Sequence, residues 1–129
     1  LGNNPIRIVM GNTENANSSQ IFGKDAETVI IKSRDPKELI AFANERGFNQ
    51  LLIESGPTFG TALLSQNLID EIVLFQAPTF LGSGTPAISD LGINSISQRL
   101  DFDIADVEII GADLKITLVK SQTNNGSGR

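Results

Sequence analysis

Short β-branched apolar runs alternate with helix-like segments through the first part of the chain. Four such runs, at 6–10, 28–32, 50–54 and 71–75, have the length and composition of strands. Helix signals fall between the later runs: Asp35 and Pro36 begin one segment that Gly47 ends, and Pro57 begins the next. This alternation predicts a double βαβ unit with parallel strands.

The pattern changes after Pro78, where a stretch rich in Gly, Ser and Thr runs to about residue 98. Residues 107–119 then read as a hairpin whose turn lies near Gly111, Ala112 and Asp113. Together the patterns predict a three-layer α/β domain, with a mainly parallel central sheet, flanking helices and a C-terminal antiparallel hairpin. Residues 121–129 have almost no apolar content and are predicted to form a disordered tail.

Composition narrows the class of protein. A length of 129 residues with 40% hydrophobic content suits one compact domain, and a net charge of −5 argues against a nucleic-acid-binding surface. The longest apolar runs fall far short of the roughly 20 residues of a membrane span, so we expect a soluble, cytoplasmic protein.

The chain has neither His nor Cys. This excludes disulfides, thiolate nucleophiles, histidine-based triads and the usual zinc sites. Three classes remain open: carboxylate chemistry, binding without chemistry, and a reaction whose difficult step is carried by a bound cofactor.

The run "LLIESGPTFG" at 51–60 breaks from apolar residues into Glu54, Ser55, Gly56 and Pro57. Ligands of open parallel sheets bind outside the carboxyl ends of the strands, and a helix beginning at Pro57 presents unpaired N–H groups suited to phosphate. The alternative is a tight strand-to-helix turn with a solvated glutamate. Spacing alone leaves both interpretations open.

From Pro5 to about Lys120 the chain resembles the reductase domain of bacterial riboflavin biosynthesis, a pyrimidine reductase related in fold to dihydrofolate reductase. The resemblance is carried by "LLIESGPTFGTALLSQNLIDEIVLFQAPTFLG" at 51–82, by "PIRIVM" near the start and by "GADLKITLV" at 111–119. It implies NADPH-dependent reduction of the ribosyl group of 5-amino-6-(5-phosphoribosylamino)uracil to the ribityl product.

The resemblance also implies roles for particular residues. Glu54 would bind the ribose hydroxyls of the substrate, and no side chain here is assigned a catalytic or metal-binding role. The segment that receives the NADPH pyrophosphate would consist of Gly56, Pro57, Thr58, Phe59, Gly60, Thr61 and Ala62. The family often carries Asp-Ser after the first strand; this chain has Gly11 and Asn12 there, and Asn12 could donate a hydrogen bond to the cofactor. A preference for NADPH needs a basic pocket, and the sequence points to no residue for it.

The resemblance begins part-way into the family domain, so we expect residues 1–120 to be a partial reductase domain. A deaminase domain, often fused upstream in the family, would be either fused or separate. Two alternatives stay open: a reductase of the same fold acting on a pterin or folate-like substrate, and a non-catalytic assembly domain. The hairpin at 107–119 could pair across a two-fold axis, which predicts a homodimer.

Overall fold

The computed structural model describes residues 4–12 and 20–121. The chain divides into two compact units, residues 1–54 and 55–129, and each is described by itself. In the described part of the chain, no helix is long and apolar enough to cross a membrane.

The first unit contains a parallel pair of strands. Strand β1 (Arg7–Met10) pairs with β2 (Thr28–Ile31), with Arg7 opposite Thr28 and Met10 opposite Ile31. This pair is parallel, in agreement with the mainly parallel sheet that the sequence predicts. Arg7 also fixes the loop before β2: its guanidinium donates to the carbonyl oxygens of Ile21 (3.0 Å) and Gly23 (3.2 Å) and pairs with Asp25.

Helix α1 (Pro36–Glu45) begins and ends where the sequence predicts. The Asp35 carboxylate accepts a hydrogen bond from the Lys37 N–H at 3.0 Å, and Pro36 occupies the first turn, where its missing N–H costs nothing. Gly47 adopts a φ of +68°, which lets the Phe48 N–H return to the Ala43 carbonyl at 2.9 Å and terminates the helix.

Burial follows one face of α1, on which Pro36, Leu39 and Ala43 are buried. At its C-terminal end the Arg46 guanidinium lies 5.6 Å from the ring centroid of Phe42 and pairs with Glu27 at 3.0 Å. These contacts tie the end of α1 to the residue just before β2.

The predicted strand at 50–54 is not formed. Residues 51–56 are irregular, with no neighbouring strand in the described ranges, and Leu52 is 88% exposed. A strand needs a partner for its backbone N–H and C=O groups. The apolar composition of this run does not by itself supply that partner.

The described residues of the second unit form one α-helix and a three-stranded antiparallel sheet. Helix α2 spans Pro57–Ser65, and the strands are β3 (Glu71–Gln76), β4 (Phe102–Ile110) and β5 (Asp113–Lys120), in the order β3-β5-β4. The β4–β5 hairpin is confirmed, and Gly111 supplies a positive φ of 64° at its turn. Strand β3 pairs with β5 in antiparallel orientation, whereas the sequence predicts a parallel neighbour for this strand. Fewer of the described strand pairs are therefore parallel than the sequence predicts.

A bulge at Ala105 keeps one face of this sheet apolar. Ile104 lies opposite Leu118, Asp106 lies opposite Thr117, and Ala105 is left without a partner. Because of this extra residue, Val107 returns to the same face as Ile104, and Asp106 points to the other face. Without the bulge, Asp106 would fall among the leucines and isoleucines.

Residues 77–101 connect β3 to β4. This segment has little regular structure apart from a short 3₁₀ helix at Ile96–Gln98. Ser121 directly follows β5. It is buried, and its N–H donates to the Asp101 carbonyl at 3.3 Å. The rest of the predicted tail, 122–129, lies outside the described residues.

Candidate functional site

The N-terminus of α2 presents backbone N–H groups that no side chain caps. Gly56 is the N-cap, with φ −74° and ψ 175°, and no side chain caps the helix. Pro57 is the first helical residue, so the exposed first turn offers the backbone N–H groups of Thr58 and Phe59. Uncapped N–H groups together with the positive end of the helix dipole favour an anion at this position.

The two glycines of this segment differ in their surroundings. A Cβ built on Gly56 would meet no atom within 4 Å beyond its chain neighbours, so the space outside this residue is open. A Cβ on Gly60, which is buried, would lie 3.3 Å from Ile88 Cδ1 and 3.4 Å from Ser55 Oγ. Gly56 therefore leaves room for a ligand to approach the backbone, and Gly60 serves internal packing.

The hydroxyl of Thr61 is already engaged by the protein. It donates to the Pro57 carbonyl at 2.7 Å and accepts the Ser89 N–H at 2.8 Å. Ile88 and Ser89 therefore pack against α2, although no pattern in the sequence singles them out. These hydrogen bonds support the first turn of the helix, and the cofactor contact expected of Thr61 stays a prediction.

The structure brings most of the predicted site residues together. Gly56 to Ala62 lie in the first two turns of α2 and its N-cap, with Thr58 exposed and Phe59 and Ala62 half-buried. Glu54 and Asn12 belong to the other unit, and both are exposed. Asn12 lies two residues after the carboxyl end of β1.

Ionisable groups with shifted pKa values lie elsewhere. The Arg7 guanidinium lowers the pKa of Asp25 by hydrogen bonding, and the Glu108 carboxylate raises the pKa of Lys115 in the same way. Among the residues described, no group of three or more acidic side chains is placed to hold a metal ion. Within the second unit, the candidate site therefore consists of backbone donors and small residues at the start of α2.

Comparison with known proteins decides the family. Residues 2–116 match the family model described as the RibD C-terminal domain. The chain belongs to the RibD C-terminal domain family. Its fold is accordingly the α/β, dihydrofolate-reductase-like fold of these reductase domains, as the sequence predicts.

Curated relatives in the RibD family are similar over most of the chain. The riboflavin biosynthesis protein RibD of Mycobacterium tuberculosis is 30% identical over 115 residues, which cover 89% of this chain and 33% of that protein. The 5-amino-6-(5-phosphoribosylamino)uracil reductase of Buchnera aphidicola is 30% identical over 104 residues, covering 77% of this chain and 50% of that protein. The chain thus spans about a third to a half of the relatives it matches.

A solved structure supports the same assignment. The crystal structure of a riboflavin biosynthesis protein from Shewanella superposes with a TM-score of 0.68 at 26% identity, covering 89% of this chain and 60% of that one. Sequence and structure therefore agree on a RibD C-terminal domain.

Proposed function

We propose that this chain is part of an NADPH-dependent reductase that converts the ribosyl group of 5-amino-6-(5-phosphoribosylamino)uracil to ribityl. The observation that carries the proposal is the open, uncapped start of α2 at Gly56, two residues after Glu54 in the sequence of a RibD C-terminal domain. A relative that is 30% identical bears the name of this reductase.

The residues at the start of α2 fit the diphosphate of a nicotinamide cofactor. Gly56 adds no side chain in the space where the diphosphate would approach, and the N–H groups of Thr58 and Phe59 are donors for its oxygens. Pro57 and Gly60 shape the turn, and Thr61 and Ala62 support it from the second turn. Asn12 would add a side-chain hydrogen bond from the end of β1.

A bound NADPH would supply the hydride for this reduction, so the chain would need no nucleophile of its own. Glu54 would accept hydrogen bonds from the ribose hydroxyls of the substrate. A carboxylate forms stronger hydrogen bonds than a neutral acceptor, and it would hold the acceptor carbon in a fixed orientation.

The test is calorimetric titration of NADPH into this chain and into the same chain extended upstream, with NADH for comparison. We expect the extended polypeptide to bind NADPH and to reduce the pyrimidine substrate. Absence of NADPH binding by both polypeptides would contradict the proposal. Residues 54–60, "ESGPTFG", would then be interpreted as a tight turn without a ligand-binding role. Reduction of a dihydropterin by the extended polypeptide, without reduction of the pyrimidine, would favour the pterin alternative.

We also propose two partners. The first is a deaminase, fused or separate, that supplies the pyrimidine substrate. The second is another copy of the chain, paired along the outer edge of β4, which has no strand neighbour among the described residues and which exposes Ile104 and Ile109. Sedimentation velocity on the extended polypeptide tests the homodimer, and a monomer at micromolar concentration would contradict it.

A further inference from the structure

We propose that Arg34 binds the adenosine 2′-phosphate of the cofactor and thereby gives the enzyme its preference for NADPH over NADH. The inference rests on the proposed function, and it names a residue for which the sequence alone gives no role. The group recognised is a phosphate monoester, and the group that binds it is the Arg34 guanidinium.

The position of Arg34 is the first argument. Arg34 follows β2 by three residues, and Asn12 follows β1 by two. Because the two strands are parallel, both residues leave from the same edge of the pair. This is the carboxyl edge, where nucleotide ligands of such sheets bind.

The side chain of Arg34 lies across Gly11. A Cβ on Gly11 would be 3.1 Å from Arg34 Nε and 3.6 Å from its Cγ. Gly11 has a φ of +106°, and its N–H donates to the Ile31 carbonyl at 2.8 Å, so the backbone beneath the guanidinium is fixed. The Arg34 side chain therefore packs against the backbone that follows β1.

The charge of Arg34 is not neutralised within the described residues. The other three arginines described, Arg7, Arg46 and Arg99, each pair with a carboxylate, and no such pair forms at Arg34. The adjacent Asp35 is turned towards α1, where its carboxylate accepts from the Lys37 N–H at 3.0 Å. An oriented guanidinium without a carboxylate partner is available for an external anion.

Two neighbours of Arg34 in sequence also carry hydrogen-bond donors. Lys32 is exposed, and the Ser33 hydroxyl oxygen accepts the Asp35 N–H at 3.0 Å, which leaves the hydroxyl proton free to donate. The chain as a whole carries a net charge of −5, so this short basic segment is an exception. Arginine binds phosphate oxygens through two parallel hydrogen bonds, and NADH has no phosphate to accept them.

The experiment compares Arg34→Gln and Arg34→Lys with the unmodified protein, in whichever of the two polypeptides above binds NADPH. Arg99→Gln is the matched control, because it makes the same chemical change at an exposed arginine of the other unit. Dissociation constants for NADPH and NADH are measured by calorimetry at two salt concentrations. Circular dichroism and thermal unfolding check that each variant is folded.

Arg34→Gln is expected to weaken NADPH binding about 10- to 100-fold, the range for a lost hydrogen bond to a charged group, and to change NADH binding less than about threefold. Arg34→Lys should fall between the two, and Arg99→Gln should keep the preference. An unchanged ratio of the two constants in Arg34→Gln, or equal weakening of both, would overturn the inference and leave the proposed function standing. If neither cofactor binds the unmodified polypeptides, both proposals fail.

Discussion

Thr61 and Ser89, 28 residues apart in sequence, are joined by a hydrogen bond of 2.8 Å from the Ser89 N–H to the Thr61 hydroxyl. The same hydroxyl donates to the Pro57 carbonyl at 2.7 Å. One side chain therefore links the first turn of α2 to the long connection between β3 and β4. This link fixes the backbone on which the proposed diphosphate site depends.

Thr61→Val removes the hydroxyl and keeps the shape of the side chain. We expect the free energy of unfolding to fall by about 0.5–1.5 kcal/mol, the usual contribution of one hydrogen bond. Urea unfolding measures this loss, and hydrogen exchange at the Ser89 amide should become faster. Thr61→Ser retains the hydroxyl and is the control, so an equal acceleration of exchange in both variants would contradict the role of the hydrogen bond.

Gly56→Ala separates ligand binding from folding. The φ of −74° suits alanine, and an added Cβ meets no atom within 4 Å beyond its chain neighbours, so stability should change by only about 0.5 kcal/mol. In contrast, the methyl group would occupy the space of the cofactor diphosphate, and we expect NADPH affinity to fall at least about tenfold, which corresponds to about 1.4 kcal/mol.

Gly84→Ala is the matched control for this variant, since Gly84 also has an open surrounding and no positive φ. Fluorescence titration of NADPH measures both variants. Unchanged affinity in Gly56→Ala would place the diphosphate somewhere other than the start of α2.

Glu54→Gln keeps the size of the side chain and removes its charge. We expect kcat/KM for the pyrimidine substrate to fall about 10- to 100-fold, because a hydrogen bond to a charged group is replaced by a neutral one, with little change in NADPH affinity. Steady-state kinetics on the extended polypeptide measure the change. Glu45→Gln, at an exposed glutamate of α1, should be as active as the unmodified enzyme; equal activity in Glu54→Gln would exclude the role assigned to Glu54.

Local signals account for the parts of the fold that sequence predicts correctly. The start and end of α1 depend on Asp35, Pro36 and Gly47, all within the helix or next to it. The β4–β5 hairpin likewise needs only alternation and the turn at Gly111. Each of these elements satisfies its backbone hydrogen bonds within a short segment, so the local sequence pattern is sufficient to predict the element.

Other features depend on residues that are distant in sequence. The run at 50–54 has strand composition and lacks a strand partner in the described structure, so its pattern is misleading. The bulge at Ala105, in contrast, has a local signal: Ile104 and Val107 are three residues apart, whereas side chains on one face of a regular strand recur every two residues.

The candidate site shows the same division. The position of Gly56 and Pro57 at the start of a helix follows from the local pattern. In contrast, the contact between Thr61 and Ser89, and the placement of Arg34 over Gly11, bring together segments more than 20 residues apart. No periodicity or motif predicts such contacts, because they arise only when the strands and the connection are in place.

Asp25 makes stability depend on pH in the acid range. The hydrogen bond from the Arg7 guanidinium holds the pKa of Asp25 below its ordinary value of 3.8, so the folded protein binds a proton there less readily than the unfolded chain. The pair therefore stabilises the fold at pH values above 3.8, and this stabilisation is lost as the pH falls through the lower, folded-state pKa. Asp25→Asn should be less stable than the unmodified protein at pH 7, and the difference should shrink towards pH 3.

Urea unfolding at a series of pH values measures this difference, with Asp90→Asn as the control at another exposed aspartate. Asp25 is well exposed and its ion pair is screened by salt, so raising the ionic strength should reduce the difference at pH 7. A difference between the two proteins that stays constant from pH 7 to pH 3 would mean that the Asp25 side chain acts through its shape and neutral hydrogen bonds. In that case Arg7 would hold the loop before β2 through the carbonyl oxygens of Ile21 and Gly23 alone.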